Sequence, residues 1–154
     1  MSKKRVVFIS GSSSGLGYEL AKQFSQEGYI VIMNGKNKKK LEKSSRKIQN
    51  SSLALGDLSI QSQCKKIYSS IKRKYSKIDL IICNAGVSSF KKTNDDFLYA
   101  FQNNFFNTVN TINFLKPLLR IPHSNIICIS SICGVESIEG APKGIFDSKV
   151  SLNK

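Results

Sequence analysis

Seven residues, Gly11-Ser12-Ser13-Ser14-Gly15-Leu16-Gly17, follow directly on the apolar run Val6-Val7-Phe8-Ile9. A β-branched run, a glycine-rich turn and then helical spacing of apolar residues (Leu20, Ala21, Phe24) describe strand, loop and helix in succession. That order aims the unpaired N–H groups of a helix N-terminus at whatever sits above the loop, and the natural guest is a pyrophosphate. Glycines let the backbone approach the phosphates, and the three serines add hydroxyl donors. The same turn also fits a plain strand-to-helix connection that binds nothing. Its place at the opening of the first βαβ unit favours nucleotide binding.

Beyond the turn, strand and helix patterns alternate. The sequence predicts strands at Arg5–Ser10, Tyr29–Asn34, Leu53–Leu55, Ile78–Cys83 and Asn125–Ser130. Helices are predicted at Gly15–Glu27, Lys38–Gln49, Ile60–Tyr75 and Asp95–Leu119, the last as one long helix or two abutting ones. The continuously apolar Ile78–Cys83 suits a parallel strand covered on both faces. A chain of 154 residues, 40% of them hydrophobic, fits one domain over residues 1–154. The expected fold is therefore α/β: a doubly wound, mostly parallel sheet with helices on both faces and right-handed crossovers. Such sheets bind ligands at the carboxyl ends of their strands, near the point where strand order reverses. Gly11 to Gly17, Gly35, Lys36, Asp57, Asn84 to Gly86, Ser130 and Ser131 fall at those ends.

Composition narrows the alternatives. No apolar stretch approaches the ~20 residues that span a bilayer, and the lysine-led N-terminus lacks an apolar signal core, which predicts a cytoplasmic protein without a membrane partner. Cys64, Cys83, Cys128 and Cys133 show no CxxC spacing, and His123 is the only histidine, so no metal set is expected. Cys83 and Cys128 fall in predicted buried strands, where a thiol serves as a small apolar filler. The net charge of +14 raises nucleic-acid binding. However, the densest cluster (Lys36 to Lys40, Lys43, Arg46, Lys47) lacks interleaved aromatics and any surrounding nucleic-acid module, so a lysine-rich solvated surface is the better reading.

With these residues in place, the chain resembles the short-chain dehydrogenase/reductase family. Ser10 to Gly17 looks like its TGxxxGxG turn, Asn84-Ala85-Gly86 its NAG signature, and Asp57 its aspartate after the third strand. Asn104, followed by Pro117, sits where the family has its helix asparagine, and Ile129-Ser130-Ser131 looks like the ISS motif closing the fifth strand. The resemblance implies a Rossmann-like fold binding NAD(P) and an oxidoreductase exchanging hydride with a small carbonyl or alcohol substrate. It places Gly11, Ser13, Ser14, Gly15, Leu16, Gly17, Lys36, Asp57, Leu58, Asn84, Ala85, Gly86 and Lys149 at the cofactor. Asp57 would accept from the adenine amino group, with turn formation at the strand end as its plainer role. Asn104 would hold a water of the proton relay, or else only support a helix kink. Ser131 would polarise the substrate carbonyl, and Lys149 would hold the nicotinamide ribose. The second strand ends in Asn34-Gly35-Lys36-Asn37-Lys38 without an acid, so Lys36 is expected to favour NADP over NAD, although Ser14 stands where NADP-binding relatives often carry a basic residue.

Two departures bear on activity. Lys149 matches the lysine of the family's YxxxK motif, but Ile145 stands at the tyrosine, and an isoleucine transfers no proton. Phe146 also lacks a hydroxyl, and Asp147 faces another side of the helix. Family members also continue for roughly a further hundred residues. This suggests an impaired enzyme missing part of its C-terminal strands, helices and substrate cover, through a cloned fragment, a truncated product or completion by another chain. The alternative is a non-catalytic dinucleotide-binding or interaction module. A homo-oligomer through the 103–119 helix is the remaining expectation.

Overall fold

The computed structural model describes residues 4–87, 94–136 and 143–153. Five strands form one parallel sheet in the order β3-β2-β1-β4-β5. They are β1 (Val6–Ile9), β2 (Ile30–Gly35), β3 (Ser51–Leu55), β4 (Leu80–Cys83) and β5 (Asn125–Cys128). The helices are α1 (Gly15–Gln26), α2 (Lys38–Ser45), α3 (Gln61–Tyr75), α4 (Asn94–Ala100), α5 (Asn107–Leu115) and α6 (Lys143–Asn153). Strand order reverses beside β1, which pairs with β2 on one edge and β4 on the other. The doubly wound expectation holds.

Alternation along β1 builds both layers. Val6 and Phe8 join Ile32, Ile81, Ile67, Ile71 and Leu115 on the face covered by α3 and α5. Val7 and Ile9 join Val31, Met33, Ala21 and Leu41 on the face covered by α1 and α2. All four β1 side chains are buried, as a central parallel strand requires.

Several boundaries differ from expectation. Helix α2 ends at Ser45 rather than Gln49, because the chain turns back through buried Ile48 and Asn50 at φ 53 to start β3 at Ser51. Ser51 and Ser52 lack an apolar signal yet pair with Val31 and Ile32, since a parallel ladder is made by backbone groups. Strand β4 starts at Leu80, while Ile78 makes an isolated bridge to Leu119. The long helical run is α4, a π-helical segment Phe101–Phe106, α5 and a 3-10 turn Lys116–Leu118. The loop expected before α4 lies partly outside the described residues, at 88–93.

Strand β5 corrects one expectation outright. Cys128 is exposed, not a buried filler, whereas its register partner Cys83 is buried. Among the described residues β5 borders the sheet, and an edge strand lacks the lateral cover that interior strands receive. No helix among the described residues is long and apolar enough to cross a membrane, and none of their His, Cys, Asp or Glu groups could hold a metal ion.

Candidate functional site

A cleft of about 570 Å³ opens above the β1/β4 junction. Its floor is the glycine-rich turn. Gly11 has φ +63, and a Cβ there would come 2.8 Å from Ala85 Cα. Gly15 has φ +56 with nothing within 4 Å of its missing side chain, and it is not among the residues that line the cleft, whereas Gly11, Ser13, Ser14 and Leu16 are. Ser14 precedes α1 in extended conformation without capping through its side chain, and the first turn carries no acid. The N–H groups of that turn thus keep their donors and positive dipole end for an anion.

The turn is held by polar groups whose contacts the motifs did not reveal. Ser10 Oγ accepts from Asn84 N and Ala85 N, both at 2.9 Å, and Asn84 Nδ2 donates back to Ser10 O at 3.0 Å. Buried Asn34 donates through Nδ2 to Ala54 O and Gly56 O, fixing the ends of β2 and β3. The signal was a polar residue closing an apolar strand. Ser12 corrects an expectation: its buried hydroxyl donates to Ile9 O and accepts from Asn34 N, so it offers nothing to a ligand. Ser13, Ser14 and Leu16 do line the cleft, together with Gly11, Lys36, Asp57, Leu58, Asn84, Ala85 and Gly86. Gly17 stands behind them, where a Cβ would come 2.5 Å from Asn84 Nδ2.

At the cleft's far end Asp57 Oδ1 accepts from Ser59 N at 2.9 Å and Ser59 Oγ at 2.7 Å, forming a turn. Burial opposes the carboxylate's ionisation, but the Ser59 donors and the Lys36 ammonium outweigh it and hold its pKa below the ordinary value. Lys36 Nζ lies 3.7 Å from Asp57 Oδ2, 3.2 Å from Asn103 Oδ1 and 5.7 Å from the Tyr99 ring centroid. It is therefore half-exposed but leans on Asp57 and Asn103 at the cleft's edge. Lys40 also lines the cleft. Beneath Leu58, the Cys64 thiol donates to Leu58 O, and burial with the Asp57 charge pushes its pKa up to about 11.

At the other end, the π-helical segment presents Asn104 to the loop that follows β4. Asn104 Oδ1 accepts from Val87 N at 2.7 Å, and its Nδ2 donates to Val87 O and Ser148 Oγ. Its backbone oxygen accepts from Thr108 Oγ1. The asparagine thus serves as a clamp joining the loop after β4, α5 and α6, a fuller role than kink support. Lys149, 8% exposed, donates to Ile129 O at 3.1 Å and lies 3.5 Å from where a Gly86 Cβ would sit. Burial lowers its pKa, with nearby Cys128 acting in the opposite sense. Ser131 Oγ accepts from Cys133 N at 3.3 Å, which leaves its own O–H proton to donate. Ile145 is buried on α6, one turn before Lys149.

The family model for the short chain dehydrogenase matches residues 5–143. The chain belongs to this family. Among curated short-chain dehydrogenase relatives, a dehydrogenase/reductase SDR family protein 7-like from Dictyostelium discoideum is 35% identical, covering 86% of this chain and 46% of the relative. A 3-oxoacyl-[acyl-carrier-protein] reductase from Rickettsia conorii is 28% identical over 86% of this chain and 56% of its own. The chain thus spans about half the length of these relatives. A crystal structure of a candidate short-chain dehydrogenase/reductase from Burkholderia xenovorans superposes with a TM-score of 0.88 at 21% identity, covering 99% of this chain and 69% of that one, which shows the shared fold.

Proposed function

We propose that this short-chain dehydrogenase chain binds NADP(H) across the cleft, as the cofactor half of an oxidoreductase acting on a small carbonyl or alcohol. The observation that carries the reading is the uncapped, acid-free N-terminus of α1 beneath the glycine-rich turn, facing a cleft whose opposite wall holds Lys36 and Lys40. The pyrophosphate would lie over Gly11 to Gly17, the adenosine toward Asp57 and Leu58, and the nicotinamide ribose toward Lys149. Absence of an acid after β2 supports NADP over NAD, because a carboxylate there would bind the ribose 2′-OH and repel a 2′-phosphate. The Lys36–Asp57 pair does not oppose this. Lys36 is 54% exposed, and exposed pairs are worth about 0–1 kcal/mol, so the ammonium changes partner at little cost.

The test is parallel calorimetric titration with NADPH and NADH. NADPH should bind about tenfold or more tightly, and Lys36→Ala should remove most of that margin, as expected for one charge-assisted contact. No binding of either at millimolar concentration, or equal affinities unchanged by Lys36→Ala, would overturn the assignment.

The cofactor supplies hydride, and the protein must supply the proton that the reduced oxygen takes up. Ser131 donates a hydrogen bond to that oxygen but is poorly suited to deliver the proton, and buried Ile145 has none to give. Loss of a positioned general acid costs about 10²–10⁴-fold. NADPH oxidation over a panel of ketones and aldehydes should therefore run at least a hundredfold below a relative that retains the tyrosine. Normal turnover that vanishes in Ser131→Ala would refute the impairment. Names such as the Rickettsia reductase support a carbonyl substrate; a non-catalytic dinucleotide-binding module is the second reading, favoured by Ile145 alone.

A further inference from the structure

Cys83 and Cys128 close two neighbouring strands at the root of the cleft. They are register partners in the parallel β4–β5 ladder, so their side chains leave the same face of the sheet. Each leads straight into a segment of the site. Cys83 precedes Asn84, whose N–H donates to Ser10 Oγ, and Cys128 precedes Ile129, whose carbonyl accepts from Lys149 Nζ. The two thiols meet through a hydrogen bond, and the charge of an ionised Cys128 acts on both Cys83 and Lys149. Cys83 is 2% exposed, whereas Cys128 is exposed. Solvent thus reaches one residue of the pair, and the sulfur of that residue reaches the other.

Nothing in the cofactor reading uses these thiols. Cys64, by contrast, is buried and spends its thiol on Leu58 O. Paired strands lie about 4.8 Å apart, inside the Cα separation of about 4.4–6.8 Å that a disulfide spans. A small approach of the border strand β5 therefore suffices to bridge the pair, without rebuilding the fold. Burial and the neighbouring Cys128 sulfur push the Cys83 thiol up, so Cys83 keeps its proton and offers no target to a dissolved oxidant. An accessible thiol poised beside a second one is the usual form of a redox-sensitive pair.

We propose that Cys128 and Cys83 form a peroxide-responsive dithiol, Cys128 taking the oxidant and Cys83 closing a disulfide onto it. In the first step the Cys128 sulfur bonds to one peroxide oxygen and the O–O bond breaks. The second oxygen leaves as water, carrying the Cys128 proton. The Cys83 sulfur then bonds to the Cys128 sulfur, the S–O bond breaks, and the hydroxyl leaves as water with the Cys83 proton. Peroxide is thereby reduced to two waters, and the two thiols together lose two electrons. The new bond draws β5 toward β4 and shifts the Ile129 carbonyl that holds Lys149, so oxidation loosens the cofactor site. That coupling rests on the cofactor reading above; the disulfide does not.

The test treats the reduced, folded chain with hydrogen peroxide, then denatures, alkylates and maps it by mass spectrometry. The expected product is a Cys83–Cys128 disulfide, lighter by two hydrogens and reversed by dithiothreitol. Cys83→Ala should leave Cys128 carrying oxygen, and Cys128→Ser should leave Cys83 fully alkylated. Cys83 still alkylated in the treated wild type, or Cys128 bridged to Cys133 instead, overturns the proposal. The wild-type map decides the matter even if neither variant folds. Calorimetric titration of the two redox forms reads the coupling. NADPH should bind the disulfide form about tenfold or more weakly, as for the loss of one charge-assisted contact. Equal affinities overturn the coupling. A reduced chain that binds no NADPH sinks the cofactor reading, and the mapped disulfide stands without it.

Discussion

Asp57 carries a charge that burial opposes and that the Ser59 hydroxyl, the Ser59 N–H and the Lys36 ammonium sustain. Its folded pKa lies below the ordinary 3.8, so between those two values the unfolded chain binds more protons and stability rises with pH. The contribution is fully present above 3.8 and is lost as the pH falls through the folded value. Asp57→Asn keeps the turn to Ser59 while deleting the charge. Its stability cost, read by urea unfolding, should be constant between about pH 5 and 8, below about 1 kcal/mol, and should shrink under pH 3.8. A cost that grows on acidification would contradict the arrangement. The sequence made Asp57 visible through its place after a strand, but not its partners. Lys36 reaches it from the end of the neighbouring strand β2, and Ser59 only after the turn has formed.

At the scale of elements, spacing located the motifs and left their roles open. Asn84 and Asn104 were legible as sites, yet what each one holds depends on segments dozens of residues away: Ser10 and Gly11 for the first, Val87 and Ser148 for the second. The π-helical segment left no mark, since its phenylalanines and asparagines suit an α-helix equally well. The exposure of Cys128 was hidden for a similar reason, because an apolar strand reads alike at the centre of a sheet and at its border. Helix α1 offers a direct check on packing. A Cβ at Gly17 would lie 2.5 Å from Asn84 Nδ2 and 2.6 Å from Gly11 O, the second being backbone that cannot rotate away. Gly17→Ala should therefore lower stability by about 1–3 kcal/mol in chemical denaturation, by forcing α1 off the turn. An unchanged unfolding midpoint would mean that the helix shifts freely.

For the whole molecule, alternation of strand and helix patterns was enough to give the parallel, doubly wound sheet, because right-handed crossovers leave few other topologies. The cleft follows from that topology, where loops after β1 and β4 diverge. Its polar wall of asparagines escaped notice because asparagine on a helix ordinarily signals solvent, and here the helix face is covered. One hydroxyl has a further consequence. Ser10 Oγ takes both the Asn84 and Ala85 amides, so those two loop amides have no partner in water while the β1 and β4 ends stay together. Their protons can be traded with solvent only when that junction parts. The most ligand-exposed corner of the fold should then show the slow exchange of its sheet interior, and the cleft's floor should move as one piece with the strands rather than as a loop.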